Sequence, residues 1–207
     1  KAMAMKAVLE MRFPATNFED KAQYVEEVLE KEPDFILGTD LIIVSIGDDT
    51  VELRINDILG RRIPRIHAWL EPLGVGGHVL ATGVGQNGGC YRCLFEYVDK
   101  HGLCNQAAFA APGQRFQKAL AGCSSVFTPF SGLDADRTAI EAASLAVKIL
   151  LGDQRENILT SWFGDPSVFL KAGYRLSERE KLFRPNETRW DIEFRRGDCP
   201  ICQEKAA

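Results

Sequence analysis

The chain has 207 residues, 45% hydrophobic and 26% charged, with a formal net charge of −4. That length allows one large domain, and the mild acidic balance leaves no electrostatic footprint for nucleic acid or an anionic membrane. No stretch approaches the roughly 18 uncharged apolar residues of a transmembrane span, and no signal peptide is legible. Four of the six cysteines stand in CxxC pairs, which suits a reducing, cytoplasmic setting better than a disulfide framework.

The chain opens at Lys1 inside a helical pattern without an N-cap, so it reads as the C-terminal portion of a longer protein. Residues 1–11 are strong helix formers, and Pro14 ends the run. From Glu19 to Lys31, Ala22, Val25, Val28 and Leu29 fall at helical spacing. Asp40 to Ile46 is an apolar run between Gly38 and Gly47, the texture of a buried parallel strand. Asp48 or Asp49 can cap a short helix whose apolar positions are Val51, Leu53, Ile55, Ile58 and Leu59. Pro64 to Leu70 and Gly77 to Thr82 read as strands.

Between Cys93 and Gly122 the pattern loosens, with Gly102, Pro112 and Gly113, and predicts irregular chain with a short helix around Gln114–Leu120. Asp134 to Leu151 is the clearest helix, with Asp134 as N-cap and Gly152 at the C′ position. Ala139, Ile140, Ala142, Ala143, Leu145, Ala146, Ile149 and Leu150 leave it little polar surface, which predicts that most of it is buried. Ile158 to Phe163 and Arg189 to Phe194 have strand content, with a short helix at Ser177–Phe183 between them. The expected fold is α/β: a Rossmann-like, mostly parallel sheet with helices on both faces, an antiparallel C-terminal portion and a four-cysteine zinc knuckle. Residues 1–152 would form the core and residues 153–207 an extension ending in the knuckle.

The strongest motif is the pair of CxxC sequences, Cys90–Cys93 and Cys199–Cys202. Four thiolates in tetrahedral array make a closed structural zinc site, which stabilises a fold and does no chemistry. A redox pair or an iron–sulfur centre are the other readings. His67, His78 and His101 have neither metal nor triad spacing, and His78 reads as a polar strand end. Gly83-Val84-Gly85 and Gly88-Gly89 follow a strand but lead into the knuckle rather than a helix, so they are not a phosphate loop. Arg179 to Arg196 mixes both charge signs and reads as a solvated face. Cys104 and Cys123 remain. A thiol in a Gly/Ser-rich loop near helix N-termini can have its thiolate favoured, while the rival role is that of a small buried hydrophobe.

The run Gly89-Cys90-Tyr91-Arg92-Cys93-Leu94, with Gly197-Asp198-Cys199-Pro200-Ile201-Cys202 far downstream, resembles the E1-like activating enzymes. These include the ThiF and MoeB adenylyltransferases and the ubiquitin-like E1 enzymes. Asp40 to Gly47, Ala121 to Ser125, Ala139 to Ala143 and Lys148 to Gly152 match the family in order. The resemblance covers roughly residues 1–152 and the terminal knuckle, and is weaker over 153–197. Within the superfamily, His67 to Gly74 with Gly76-Gly77-His78 resembles the bacterial E1–E2 fusion proteins of CBASS antiphage systems.

The resemblance implies a Rossmann-like adenylation domain that uses ATP and Mg²⁺ to adenylate the C-terminal carboxylate of a partner protein. That partner is a ubiquitin-like protein or, in the CBASS branch, a nucleotidyltransferase of the CD-NTase type. Cys123 is placed where some members form a thioester, with Cys104 near a second such position, and the acyl group would pass to an E2-type cysteine. Lys1 opens its helix as the phosphate-contacting lysine does. Asp48 stands near an acidic residue used for Mg-ATP, its rival role being the helix N-cap. A homodimer is implied. The family's glycine-rich nucleotide loop precedes the position of Lys1, so the N-terminal nucleotide-binding half is expected to be absent and residues 1–207 inactive alone. Alternatives are a ThiF/MoeB-type sulfur-carrier adenylyltransferase and a noncatalytic E1-like binding subunit.

Overall fold

Helix formers dominate the start of the chain, and three helices result: α1 (Ala2–Arg12), α2 (Val25–Lys31) and α3 (Pro33–Leu37). A computed structural model describes residues 1–119 and 126–203. It divides into two units, Lys1–Thr39 and Asp40–Ala207. In the first unit the helix expected from Glu19 begins only at Val25. Pro33 then opens α3 at its first turn, where a missing N–H costs nothing. Ion pairs Lys6–Glu10 at 3.7 Å and Lys21–Glu32 at 2.5 Å lie within this unit.

The second unit runs β1 (Ile42–Val44), α4 (Asp49–Leu59), β2 (Arg65–Leu70), β3 (Gly76–Thr82), β4 (Phe95–Val98), β5 (Gly102–Asn105), β6 (Lys118–Ala119) and β7 (Val126–Phe127). It continues with α5 (Gly132–Leu150), β8 (Ile158–Phe163), α6 (Ser167–Lys171), β9 (Thr188–Asp191) and α7 (Pro200–Gln203). Five strands form one mixed sheet in the order β1-β2-β3-β8-β9. The α/β class with flanking helices is therefore what forms. Its parallel part is the single pair β1–β2, and every later pair in this sheet is antiparallel. For β2–β3 the cause is local: Leu70 and Gly76 are joined by a tight turn over Pro72–Gly74, far too short for the crossover that a parallel pair requires.

The pleat sorts side chains onto two faces. Ile66, Val79 and Ala81 pack against Ala142, Leu145 and Ala146 of α5. Leu80 and Leu159 point the other way, onto Leu53 of α4 and onto Tyr91, Leu94 and Phe95. On the α5 side Trp162 donates its indole N–H to Thr138 Oγ1 at 2.9 Å. A Cβ on Gly77 would stand 2.5 Å from both of those polar atoms, so the indole passes there only because residue 77 is glycine.

Four local expectations change. Phe95–Val98 and Gly102–Asn105 pair as a hairpin within the stretch read as irregular. The helix expected at Gln114–Leu120 is absent over its described part, where Lys118–Ala119 is a short strand. Tertiary contacts override propensity there: the Gln114 amide donates to Ala111 O and Arg175 O, and its Oε1 accepts from Arg175 N at 2.7 Å. In α5 the N-cap is Ser131, and Asp134 is instead the N3 partner of a capping box. That helix is also not mostly buried. Ile140, Val147 and Leu150 are exposed, because the helix lies on one sheet face with only its Thr138–Ala142–Leu145–Ala146 side turned inward.

Truncating Leu80, fully buried between the sheet and α4, is expected to cost about 2–5 kcal/mol. Ser131→Ala is expected to cost about 1 kcal/mol. Urea midpoints should fall accordingly with unchanged m-values.

Candidate functional site

Cys90 and Cys93 bracket a 3-10 turn, Tyr91–Leu94, in which Cys93 N–H donates to Cys90 O at 2.9 Å. Cys199 and Cys202 bracket the first turn of α7. Two local turns each present two sulfurs on one side, and the fold brings them together. All four thiols are buried. Neighbouring Sγ atoms stand 3.9 Å (Cys90–Cys93), 3.7 Å (Cys90–Cys199) and 3.5 Å (Cys93–Cys202) apart. Those separations are far too long for a disulfide. A tetrahedral metal with bonds of about 2.3 Å would set sulfurs about 3.8 Å apart, so the cluster fits a metal such as zinc. With four protein donors no coordination position is open to substrate, as in a structural site. Cys90 is lowered to about 7, chiefly by the Cys199 thiol and then by Cys202. A Cβ on Gly89 would lie 2.7 Å from the Phe194 ring and 3.0 Å from Cys93 Cβ, so the glycine before the knuckle is required by close approach.

The knuckle is tied to α4 along its length. Tyr91 donates its hydroxyl to Asp49 Oδ1 at 2.8 Å near the helix start. Asn56 Nδ2 lies 3.6 Å from Cys90 Sγ, and Asn56 Oδ1 accepts from Tyr91 N–H at 3.2 Å. Arg92 grips Asp57 with two N–H groups, one at 2.7 Å.

A cleft of about 700 Å³ opens beside the carboxyl end of β1, lined among others by Ser45, Gly47, Asp49, Glu52 and Trp69, with Ala139 of α5 opposite. Glu52 is buried. Its Oε1 accepts from the N–H groups of Ile46 and Gly47 at 3.2 and 3.1 Å, shaping the loop that forms the cleft wall. Its Oε2 lies 2.9 Å from His67 Nδ1. Burial keeps His67 neutral by lowering it from its ordinary value of 6.5, and Glu52 only partly opposes this. A neutral ring facing a carboxylate must carry its proton on Nδ1, and His67 Nε2 then has no partner among the described residues. The His67 ring stacks on Tyr91 with centroids 4.3 Å apart. Partial burial raises Asp49 above the ordinary carboxyl value, and the Tyr91 hydroxyl counteracts it.

His78, expected as a polar strand end, is fully buried in β3. Its Nε2 meets Glu71 Oε1 at 3.1 Å and its Nδ1 meets Ser161 Oγ at 2.9 Å. Arg179 donates to Ser161 Oγ at 3.2 Å and to Asp191 at 2.7 Å, so Arg179 belongs to this network rather than to a solvated face. Glu71 also accepts from the N–H of Phe109 at 2.8 Å. The Ser161–His78–Glu71 distances are those of a hydrolase relay, yet Ser161 is wholly buried. The three side chains join β3, β8 and the turn after β2, and present no nucleophile to solvent.

Asp48, exposed, accepts from the N–H groups of Thr50 and Val51 at 2.9 and 3.2 Å, which is the N-cap role. The aspartate that lines the cleft is Asp49. Lys1 is exposed and stands at the N-cap of α1 in the first unit. Cys123 lies outside the described residues. Cys104, partly exposed on β5, directs its thiol toward His101 O and Gly102 O, and burial raises it. Nothing there favours its thiolate. The Glu52–His67 and Tyr91–Asp49 contacts escaped sequence reading, since the partners are 15 and 42 residues apart. No helix among the described residues is long and apolar enough to cross a membrane. No family model matches the chain, and no curated protein sequence matches it.

Metal analysis is expected to find one zinc per chain. Chelation should lower the Tm by more than about 10 °C, since each kcal/mol moves a chain of this size by about 2–4 °C and the metal supplies several. Cys199→Ser should reproduce that loss. Stability should also fall as pH drops below 6.5, the ordinary value from which burial lowers both His67 and His78. Below that pH the unfolded chain binds protons that the folded chain refuses, so acid favours unfolding until the folded rings also titrate. Urea midpoints measured from pH 8 to pH 5 should show this fall, and His78→Gln should flatten it.

Proposed function

We propose that this chain is part of an E1-like activating enzyme, acting in a reducing cytoplasm. It would adenylate the C-terminal carboxylate of a partner protein with Mg-ATP and then capture the acyl group on Cys123. The observation that carries the reading is the cleft at the carboxyl end of β1, the place where open α/β sheets take their ligands. It adjoins a CxxC turn of the E1-like pattern, Gly89 to Leu94. In the first step a carboxylate oxygen of the partner attacks the α-phosphorus of ATP and pyrophosphate leaves. In the second, the Cys123 thiolate attacks the acyl carbon and AMP leaves with the bonding pair, giving a thioester that an E2-type cysteine can accept.

The chain's own residues take distinct parts. Asp48 is engaged as a helix cap, so Asp49 is the carboxylate left to face magnesium-bound phosphates. Glu52 holds the Ile46–Gly47 amides in the cleft wall. The metal knuckle takes no part in the reaction and orients Asp49 through Tyr91. The contribution of Lys1 and a homodimeric assembly rest on the sequence resemblance alone.

ATP–pyrophosphate exchange by the intact protein, with a peptide ending in glycine as acceptor, tests the reading. Asp49→Asn should slow exchange by at least about 10-fold while metal content stays constant. Cys123→Ala should retain exchange and lose the thioester band on non-reducing gels. Absence of exchange in the wild type, or exchange indifferent to Asp49→Asn, overturns it.

A further inference from the structure

Arg65 is fully buried in β2, and no carboxylate among the described residues ion-pairs with it. Its guanidinium donates to the carbonyls of Ile63 at 3.2 Å and Gly60, and to Asn56 Oδ1 at 3.2 Å, while Nε has no partner among the described residues. The nearby Asp57 is held by Arg92. A buried cation without an anion is strongly disfavoured, so a compensating charge has to lie close by. Asn56 shows where. Its Oδ1 accepts from Arg65, and its Nδ2 divides between Cys90 Sγ at 3.6 Å and Asp57 Oδ1 at 3.4 Å. Four thiolates around a divalent ion retain a net double negative charge. Cys90 and Cys202 are also among the groups that act to keep Arg65 charged against its burial.

We propose that Arg65 and Asn56 form the outer shell of the four-cysteine metal site, Arg65 as counter-charge and Asn56 as the amide that orients the Cys90 sulfur. Both are positioning residues that slow loss of the ion. The inference rests on reading the four-cysteine cluster as a metal site and is independent of the adenylation reading.

The test is the rate at which zinc passes from the folded protein to a chromogenic chelator, with the Co²⁺-substituted absorption spectrum as second readout. Arg65→Met and Asn56→Asp should each speed release by roughly 10–100-fold and shift the thiolate-to-cobalt band. Asn56→Asp is the discriminating variant. It offers Arg65 a salt bridge, which a purely structural role would welcome, yet it removes the sulfur's donor and sets an anion beside it. Arg65→Lys, which keeps a cationic group but not the fork that reaches three acceptors, should release zinc more slowly than Arg65→Met. Thr82→Val is the control. Thr82 is buried, sits opposite Arg65 in the β2–β3 register and has a hydroxyl without a partner among the described residues. Its release rate should match wild type. If Arg65→Met does not fold, Asn56→Asp decides. Release unchanged in Asn56→Asp, or equally fast in Thr82→Val, overturns the inference. A wild type without bound metal overturns the metal reading beneath it.

Discussion

The meeting of four thiols from the middle and the end of the chain is the constraint on which much of the second unit hangs. Metal binding at such a site is folding free energy, apparent values being about 10–16 kcal/mol in zinc-finger peptides. The net stability of a whole domain is only about 5–15 kcal/mol. A metal held by these four thiols would therefore rival everything else that holds the unit together. Its effect spreads because Tyr91, between two ligands, is itself buried. It stacks on His67 and reaches Asp49. With Asn56 and Arg92 engaged further along α4, one turn of chain pins that helix from its first residues to its last turn. The cleft wall at the helix start inherits the rigidity of the metal site.

The same sheet face that carries the knuckle also carries an unusual load of buried polar side chains: Arg65, His67, His78 and Ser161. Each polar group withdrawn from water costs free energy unless it is bonded, and the face meets that cost unevenly. The His78 ring uses both nitrogens, and Glu71 binds two backbone amides as well, so this network is rigid and its His–Ser–Glu geometry is structural. Among the described residues His67 leaves one nitrogen unmatched, and Arg65 leaves one N–H unmatched. Arg179 of the His78 network likewise leaves its Nε unmatched among the described residues.

What the chain disclosed before folding followed the range of the interactions involved. The strands Ile158–Phe163 and Arg65–Leu70 were legible within a residue because apolar content and flanking turns are local signals. The start of α4 after Asp48 was legible for the same reason. The burial of α5 was overestimated, since small apolar residues around its circumference do not say how many faces find a partner. The parallel character of the sheet was overestimated as well. Strand content carries no direction, and the short Pro72–Gly74 turn had to be weighed as a reversal. The β4–β5 hairpin was hidden by exposed residues such as Tyr97 and Leu103, which blur the alternation that would have marked it.

The sequence by itself determined which four cysteines form the cluster, because a CxxC turn is built from neighbours and its spacing is its chemistry. It also determined that one of two adjacent aspartates would cap α4. Only the tertiary structure decided that Asp48 takes the cap while Asp49 turns to Tyr91 and the cleft. It alone decided that Arg65, His67, His78 and Ser161 would be buried on one face, and that Arg65 would be joined to Cys90 through Asn56. Those outcomes depend on residues tens of positions apart arriving within hydrogen-bond distance. The burial that makes such contacts strong exists only once the sheet, α4 and the knuckle have closed around them.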